Sequence, residues 1–274
     1  MHRPVIFDSF FLGGFECSSH QLPEGRRLDL IEATQHGRLA EHEYRRMAEH
    51  GIRTVRDGLR WHLIEARPSQ LDFSSFLPML RAAQRAGTQV IWDLCHYGWP
   101  DHIDIWRPIF VERFAQFAAA TARVVQDQGE PPPFYCLVNE VSYWSWAGGD
   151  HALMSPVARG RGLELKHQLI RAAIAATYAI REVDPRARFV HVDPIINAIP
   201  GCDETQDEAQ AYMRAQYDSW LLMSGELWPG LGGHPSLLDI VGVNYYSNNQ
   251  WIVGGPEDGC TVLPFDLRYE PLHQ

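Results

Sequence analysis

The sequence lacks most of the signals that mark a special class of protein. Its five cysteines are odd in number and form no CxxC pair, so neither a disulfide framework nor a zinc knuckle is indicated. No apolar run reaches about 18 residues, the length needed to cross a membrane. The stretch after Met1–Pro4 is short and contains Asp8, which makes it too polar for a signal sequence. These absences favour a cytoplasmic protein with reduced thiols and no membrane partner.

The chain also has fewer positively charged residues than negatively charged ones. The chain has 24 Lys and Arg residues against 34 Asp and Glu residues, a formal net charge of −10, which argues against nucleic acid as a partner. The 274 residues are 45 % hydrophobic and 21 % charged, a composition typical of a globular protein with a large core. We interpret residues 1–274 as a single domain, because α/β barrels run to about 250 residues as one unit.

Cofactor motifs are missing as well. Gly13-Gly14 lacks the GxGxxG spacing of a dinucleotide site, and no GxxxxGK[ST] phosphate loop occurs. Several histidines and aspartates lie near one another in sequence, but without HExxH or paired-cysteine spacing, so no metal site is predicted. The chain is therefore expected to need neither cofactor nor metal. The histidines and aspartates in question are His96, Asp101, His102 and Asp104, and His191 with Asp193.

What the sequence does contain is a regular alternation of two patterns. Short apolar runs predict six buried strands, and longer segments with helical periodicity predict five helices between them. Strict alternation of strand and helix predicts parallel βαβ units. The predicted strands are 10–15, 54–61, 89–94, 134–138, 188–196 and 239–246, and the predicted helices are 39–50, 73–86, 105–128, 163–183 and 205–227.

Two parallel architectures fit this alternation, a doubly wound open sheet and a (β/α)₈ TIM barrel. Polar residues collect where each predicted strand ends, as they do at the catalytic face of a barrel, and this favours the barrel. Successive strands begin about 46 residues apart, more than the usual barrel unit of about 30. The chain is thus expected to hold six of the eight units, with strands seven and eight outside it. The polar residues are His20-Gln21, Arg60-Trp61, His96, Asn139-Glu140, Asp193, Asn244 and Tyr246.

Glu140 is the sharpest feature of the chain. It follows Asn139 at the end of an apolar strand, and aromatic residues come directly after it. A carboxyl group in such surroundings has its charged form disfavoured, which suits the general acid of a glycosidase. A solvated loop carboxylate is the ordinary alternative for an isolated Asn-Glu pair.

The surrounding motifs make the pattern specific. Motifs at five of the six predicted strands resemble glycoside hydrolase family 1, the β-glucosidase family of retaining (β/α)₈ enzymes. Five motifs in the same order are hard to attribute to chance. They are FLGG at 11–14 with Gln21, Arg56 with Trp61, LCHYGWP at 94–100, LVNE at 137–140 and DIVGVNYYS at 239–247, with the fifth strand between the last two.

The resemblance implies a role for each matching residue. Glu140 matches the acid/base glutamate, Arg56 an arginine near the nucleophile, and Tyr246 the tyrosine that hydrogen-bonds the nucleophile. Residues that match sugar-binding or nucleophile-positioning residues are Gln21, His96, Asn139 and Asn244.

Strand parity bears on two of these assignments. Side chains two apart share a face, so Asn244 and Tyr246 point together while Tyr245 points away into packing. By the same rule Arg56 and Arg60 share a face, and either could be the cation near the nucleophile. The spacing of Arg56 to Trp61 favours Arg56.

The sequence departs from the family at several positions. Tyr97 and Gly98 stand where tryptophan and aspartate are usual, Val141 replaces a proline, and Gly13 replaces a tryptophan. The chain is therefore expected to belong to a divergent branch whose substrate need not be glucose.

The second carboxylate required for retention is not evident. A retaining enzyme needs two carboxylates about 5 to 5.5 Å apart, and the family draws its nucleophile from strand seven. Glu257 and Glu270 lie in polar, Gly- and Pro-rich surroundings and are expected to be solvated. Glu16 matches a small residue of the family and is not favoured as a nucleophile.

Tryptophans supply candidate sugar platforms, because pyranose C–H faces pack on indole rings. Trp144 and Trp146, just past Glu140, are the best candidates on the aglycone side, with core packing as the alternative. His191 and Asp193 share a strand face and are expected in the barrel interior.

The sequence thus predicts a metal-free retaining β-glycosidase whose substrate is a small or oligomeric β-glycoside. Two alternatives stay open. One is a non-catalytic carbohydrate-binding or degenerate glycosidase-like protein, and the other is a different retaining barrel family with endo or glycosyl-transferring activity.

Overall fold

The computed structural model describes residues 6–129 and 132–271. The interpretation of Met1–Pro4 lies outside the described residues. Within them no helix is both long enough and apolar enough to cross a lipid bilayer.

A six-stranded parallel sheet, curled into a half-barrel, organises the molecule. Its strands pair in the order β1-β2-β3-β4-β5-β7, each parallel to its neighbour. All six predicted strands are present, and the arrangement matches part of a TIM barrel, which confirms the predicted fold class. The strands are β1 (Leu12–Gly14), β2 (Thr54–Gly58), β3 (Gln89–Asp93), β4 (Phe134–Cys136), β5 (Arg188–Pro194) and β7 (Ile240–Asn244).

Helices lie between successive strands and cover the outside of the sheet. Residues that favour the start or the stop of a helix lie at several of their ends. Proline occupies the first turn of two helices, and Gly87 ends one of these two with φ of 64°, a conformation that glycine adopts without strain. The helices are α1 (Leu30–Ala33), α2 (His36–Glu49), α3 (Trp61–Ile64), α4 (Leu77–Ala86), α5 (Pro108–Asp127), α6 (Val141–Trp144), α7 (Gly162–Val183), α8 (Gln206–Ala215) and α9 (Asp218–Ser224).

The predicted helix 205–227 is in fact two helices, α8 and α9. Gln216 lies between them, and its side chain accepts a hydrogen bond from the backbone N–H of Ile196 and donates one to the carbonyl of Met213. This side chain ties the break to the loop after β5.

A small second sheet was not predicted. β6 (Asn197–Pro200) and β8 (Gln250–Val253) pair in parallel beside the main sheet. Both are four residues long and begin with an amide side chain, so neither shows the apolar run by which the other strands were found.

The core has two layers. Between the sheet and its helices, Trp61 packs against Phe110, Phe114 and Phe117 with ring centroids 5.2 to 5.7 Å apart. Inside the curl of the sheet lies a smaller apolar cluster. Its buried members are Ile91, Phe134, Cys136, Val190 and Val192.

The inner cluster fixes which side chains face the barrel interior. Val190 and Val192 face inward, so His191 and Asp193 face the helices. His191 Nε2 lies 2.9 Å from the Leu237 carbonyl oxygen, and burial lowers the pKa of His191 to about 4. The expectation that His191 and Asp193 point into the barrel interior is therefore wrong, because in β5 the inward-facing positions are those of Val190 and Val192.

Candidate active site

Glu140 lies at the carboxyl end of the sheet, four residues after β4 ends. Only 8 % of its surface is exposed. Its backbone is left-handed, with φ of 44° and ψ of 65°, a conformation that costs a non-glycine residue on the order of 1–3 kcal/mol. The same region of conformational space is adopted by Tyr97, with φ of 64°, in the loop after β3. Two strained residues at neighbouring strand ends are typical of a functional site.

Both carboxylate oxygens of Glu140 accept a hydrogen bond from a side chain. The Tyr97 hydroxyl donates to Oε2, and Asn244 Nδ2 donates to Oε1 over 2.7 Å. The carboxyl plane is thereby fixed from two directions, by the loop after β3 and by the last residue of β7. Tyr97 is buried, and burial, reinforced by the Glu140 charge, raises the pKa of its phenol well above the ordinary value.

The Asn139 side chain links Tyr97 and Glu140 to side chains from other elements of the sheet. Arg56 donates to its Oδ1, which orients the amide because a guanidinium can only donate. Asn139 Nδ2 then faces the Tyr97 hydroxyl at 2.7 Å and His96 Nε2 at 3.0 Å. The loop after β3, the end of β4 and the middle of β2 are joined through one side chain.

Asp93, the last residue of β3, lies beneath this network and is fully buried. Its Oδ2 is 2.5 Å from Arg56 and 3.0 Å from His96 Nδ1. Burial alone would raise the pKa of Asp93, but the Arg56 and His96 side chains outweigh it and hold the pKa below the usual value. Cys17 Sγ lies 3.1 Å from the same His96 nitrogen.

The turn after Glu140 rests on a second buried carboxyl group. The backbone N–H of Ser142 lies 3.1 and 3.2 Å from the two oxygens of Asp193. Burial raises the pKa of Asp193 to about 7, despite hydrogen bonds from Ser219 and Ser142 that lower it. Asp193 therefore supports the Glu140 turn from the helical side of β5.

Tyr246 lies at the open side of the network. It is 61 % exposed, and partial burial raises its pKa, with further increases from the Glu140 and Glu16 charges. Both carboxylates are thus within electrostatic reach of its phenol. Glu16 itself lies with Oε1 at 3.7 Å from His96 Nε2 and accepts a hydrogen bond from the Ser18 backbone.

Some of the predicted site residues meet in the structure and others do not. The structure brings five of them into one hydrogen-bonded network and places Tyr246 beside it. Arg56 is the arginine of this network, since Arg60 lies instead 3.4 Å from Asp29 and from Glu32. The five residues are Arg56, His96, Asn139, Glu140 and Asn244.

Gln21 is not part of the network in this structure. Its Nε2 donates to Asp101 Oδ1 over 2.7 Å, and its backbone pairs with Ser155. Its predicted sugar contact would require the side chain to leave Asp101.

Trp144 does not form a sugar platform, which corrects the prediction. It is fully buried, packs on Tyr97 and Trp99, and donates its indole N–H to the Ser155 carbonyl. Its ring supports Tyr97 from beneath instead. Trp146 is partly exposed, and its ring lies beside that of Tyr143.

Three members of the network were not predicted from the sequence. Tyr97 was noted only as a departure from the family, Asp93 reads as the end of an apolar strand, and Cys17 reads as a core thiol. Strand parity could have placed Asp93 inside, two residues after inward-facing Ile91. Glu257 and Glu270 are exposed, which confirms that prediction.

A groove of about 600 Å³ lies elsewhere. It is lined at the amino-terminal ends of β3 and β4 by residues such as Gln89 and Phe134. Ligand sites of parallel barrels lie at the opposite, carboxyl ends of the strands, so this groove is not the candidate site.

No protein-family model and no curated protein matches the sequence. Solved structures do match. A hyperthermophilic β-glucosidase mutant superposes with a TM-score of 0.68 at 16 % identity, over 92 % of this chain and 70 % of that one. A rice β-glucosidase mutant in a covalent complex with Glc gives 0.68 at 16 %, over 96 % and 70 %.

The family 1 β-glucosidase from Thermotoga maritima gives a TM-score of 0.63 at 15 % identity, over 81 % of this chain and 57 % of that one. The β-glucosidase from the same organism has also been solved with deoxynojirimycin. The chain spans between 57 and 70 % of the length of the three structures compared. At these identities the similarity establishes a fold like that of family 1 glycosidases.

Proposed function

We propose that the protein hydrolyses β-glycosidic bonds with retention of configuration, and that Glu140 is its general acid/base. The observation that carries this proposal is the pair of hydrogen bonds that holds the buried Glu140 carboxyl at the carboxyl end of a parallel half-barrel. A glycosidase acid/base must be held rigidly against the leaving oxygen, and two donors from different strands supply that rigidity.

In the proposed reaction, protonated Glu140 gives its proton to the leaving glycosidic oxygen. It then takes a proton from the water that releases the sugar. Asn139 and His96 hold glycone hydroxyls, and Tyr246 and Arg56 orient and stabilise the nucleophile. Trp146 offers its ring to the aglycone. These roles follow the family resemblance and agree with the positions of the residues around Glu140.

The nucleophile in this proposal is a carboxylate outside residues 6–129 and 132–271. The resemblance implies that it comes from a seventh strand, and the main sheet of the described residues has six. Glu16 is the carboxylate that competes for this role, because it lies beside His96 and within electrostatic reach of Tyr246.

The test is hydrolysis of β-glycosides with an alkyl or sugar leaving group by the wild-type protein and by Glu140→Gln, Glu16→Gln and Glu257→Gln. Glu257 is an exposed, ion-paired control. We expect Glu140→Gln to lower kcat/KM on the order of 10² to 10⁴-fold for poor leaving groups. The other two variants should stay close to wild type. A large loss in Glu16→Gln would make Glu16 the nucleophile.

A second candidate function is carbohydrate binding without catalysis. It is favoured by the saturation of Asn139 and of both Glu140 oxygens with protein contacts. Calorimetry with deoxynojirimycin separates the two functions. Binding without hydrolysis would favour the binding protein, whereas the absence of both would contradict either function.

A further inference from the structure

Cys17, Asp93 and His96 bring three different ligand atoms together at the base of the network. Cys17 Sγ lies 3.1 Å from His96 Nδ1, Asp93 Oδ2 lies 3.0 Å from the same nitrogen, and Sγ lies 3.8 Å from Oδ2. Cys17 and Asp93 are buried, whereas His96 is partly exposed. The three residues come from the loops after β1 and β3 and from the end of β3.

These separations are close to those of a tetrahedral zinc site. Zinc bonds of about 2.3 Å to sulfur and 2.0–2.2 Å to nitrogen and oxygen put neighbouring ligand atoms about 3.4–3.6 Å apart. Shifts of a few tenths of an ångström would bring the three atoms to that spacing. Thiolate, imidazole and carboxylate are also the ligand types that zinc prefers.

The cluster is not arranged as a nucleophile relay. In a relay the histidine faces the nucleophile with one ring nitrogen and the carboxylate with the other. Here Cys17 and Asp93 both approach Nδ1. The thiol and the carboxylate thus converge on one ring nitrogen, as the ligands of a single cation do.

Asp93 has a second oxygen to offer. Its Oδ2 is shared with Arg56, but its Oδ1 is buried and has no hydrogen-bond partner in the described residues. An unpaired buried carboxylate oxygen is costly, and a cation would satisfy it. The positive charge of Arg56 disfavours a cation nearby. The negative charges of ionised Cys17 and Asp93 together offset it.

We propose that Cys17, Asp93 and His96 bind one divalent cation of borderline softness, of the Zn²⁺ class. On binding, Cys17 Sγ gives its proton to solvent and forms the metal–sulfur bond, with no change in oxidation state. His96 coordinates through Nδ1 and keeps its single proton, which moves to Nε2. A water molecule completes the coordination from the mouth of the barrel, beside Glu16.

Metal binding would change which ring nitrogen of His96 carries the proton, and therefore whether Nε2 donates or accepts a hydrogen bond in the candidate site. Without metal, Nε2 accepts a hydrogen bond from Asn139, because the Asn139 oxygen is occupied by Arg56. With Nδ1 on the metal, Nε2 carries the proton and no longer accepts from Asn139 Nδ2, so that hydrogen bond is lost and Glu16 Oε1, 3.7 Å away, becomes the nearby acceptor. The metal therefore selects the tautomer of a predicted sugar-binding residue.

The test uses chelator-treated protein titrated with Zn²⁺ in a calorimeter and with Co²⁺ in a spectrophotometer. We expect one Zn²⁺ per chain and a near-ultraviolet thiolate-to-cobalt charge-transfer band. Cys17→Ser should abolish the band and weaken Zn²⁺ binding on the order of 100-fold, and His96→Ala should weaken it similarly. Cys260→Ser and His42→Ala, at exposed positions, should bind as wild type does.

Two results would overturn the proposal. One is the absence of stoichiometric Zn²⁺ binding to the wild-type protein. The other is unchanged affinity and an unchanged cobalt spectrum in both Cys17→Ser and His96→Ala. If circular dichroism shows that Cys17→Ser is unfolded, His96→Ala alone decides, because His96 is partly exposed and its removal leaves the core intact. None of these measurements depends on glycosidase activity.

Discussion

Among single residues, Tyr97 has the least expected position. It stands where the family resemblance implies tryptophan, yet its hydroxyl joins Asn139 to Glu140. A tryptophan could not accept from Asn139 and donate to Glu140 at once, because the indole N–H only donates. The departure from the family therefore changes how the candidate acid/base is held.

Replacing Tyr97 by Phe tests this positioning role. A hydrogen bond to a charged group contributes about 1.5–3 kcal/mol, so we expect kcat for β-glycoside hydrolysis to fall on the order of 10- to 100-fold with little change in KM. The melting temperature should fall by only a few degrees, since buried Glu140 and Asn139 lose a partner while the ring keeps its packing against Trp144. Tyr178→Phe, at an exposed position, is the control. Equal kcat values in Tyr97→Phe and wild type would show that the hydroxyl does not position Glu140.

At the scale of elements, the end of β5 supports the turn that follows β4. Asp193 accepts the Ser142 N–H from the helical side of the sheet, and burial raises its pKa to about 7. A carboxyl group with a raised pKa in the folded state binds its proton more tightly there than in the unfolded chain. The resulting stability is complete below about pH 4 and is lost as the pH rises through about 7.

Asp193→Asn, which mimics the protonated carboxyl, should lack this pH dependence. Between pH 4 and pH 8 we expect the free energy of unfolding of the variant to rise relative to wild type by up to about 4 kcal/mol, measured by urea denaturation. Asp72→Asn should show almost no change relative to wild type over this range, since the Ser74 backbone N–H lowers the pKa of Asp72 and its contribution is lost only as the pH falls below about 4. Parallel stability curves for Asp193→Asn and wild type would contradict the account.

Periodicity predicted the large elements because each buries one continuous apolar face. The six strands of the main sheet and the long helices α5 and α7 were found in this way. The small sheet of β6 and β8 was not, since each of its four-residue strands begins with an amide side chain and lacks a long apolar run. Polar residues at strand ends placed most of the site at one edge. The Tyr97–Glu140 contact depends on two left-handed backbones that no sequence pattern indicates.

At the scale of the whole molecule, the aromatic layer between sheet and helices holds the half-barrel in shape. Phe114 is fully buried among Trp61, Phe110 and Phe117. Phe114→Ala should lower the free energy of unfolding by about 3–5 kcal/mol, the transfer and cavity cost of a buried phenylalanine, as measured by urea denaturation. Phe265→Ala, at a position that is 85 % exposed, should be nearly neutral. Similar losses in both variants would mean that this layer is not the main source of stability.

The central claim is that Glu140 transfers a proton to the leaving oxygen. It is tested most directly by comparing Glu140→Gln with wild type on two β-glycosides of the same sugar, one with a dinitrophenyl leaving group and one with an alkyl or sugar leaving group. Dinitrophenolate departs without a proton, so we predict only a small loss in the rate of the dinitrophenolate-releasing burst on the first substrate. On the second, kcat/KM should fall on the order of 10² to 10⁴-fold. An equal loss on both substrates, or no loss on either, would contradict the claim.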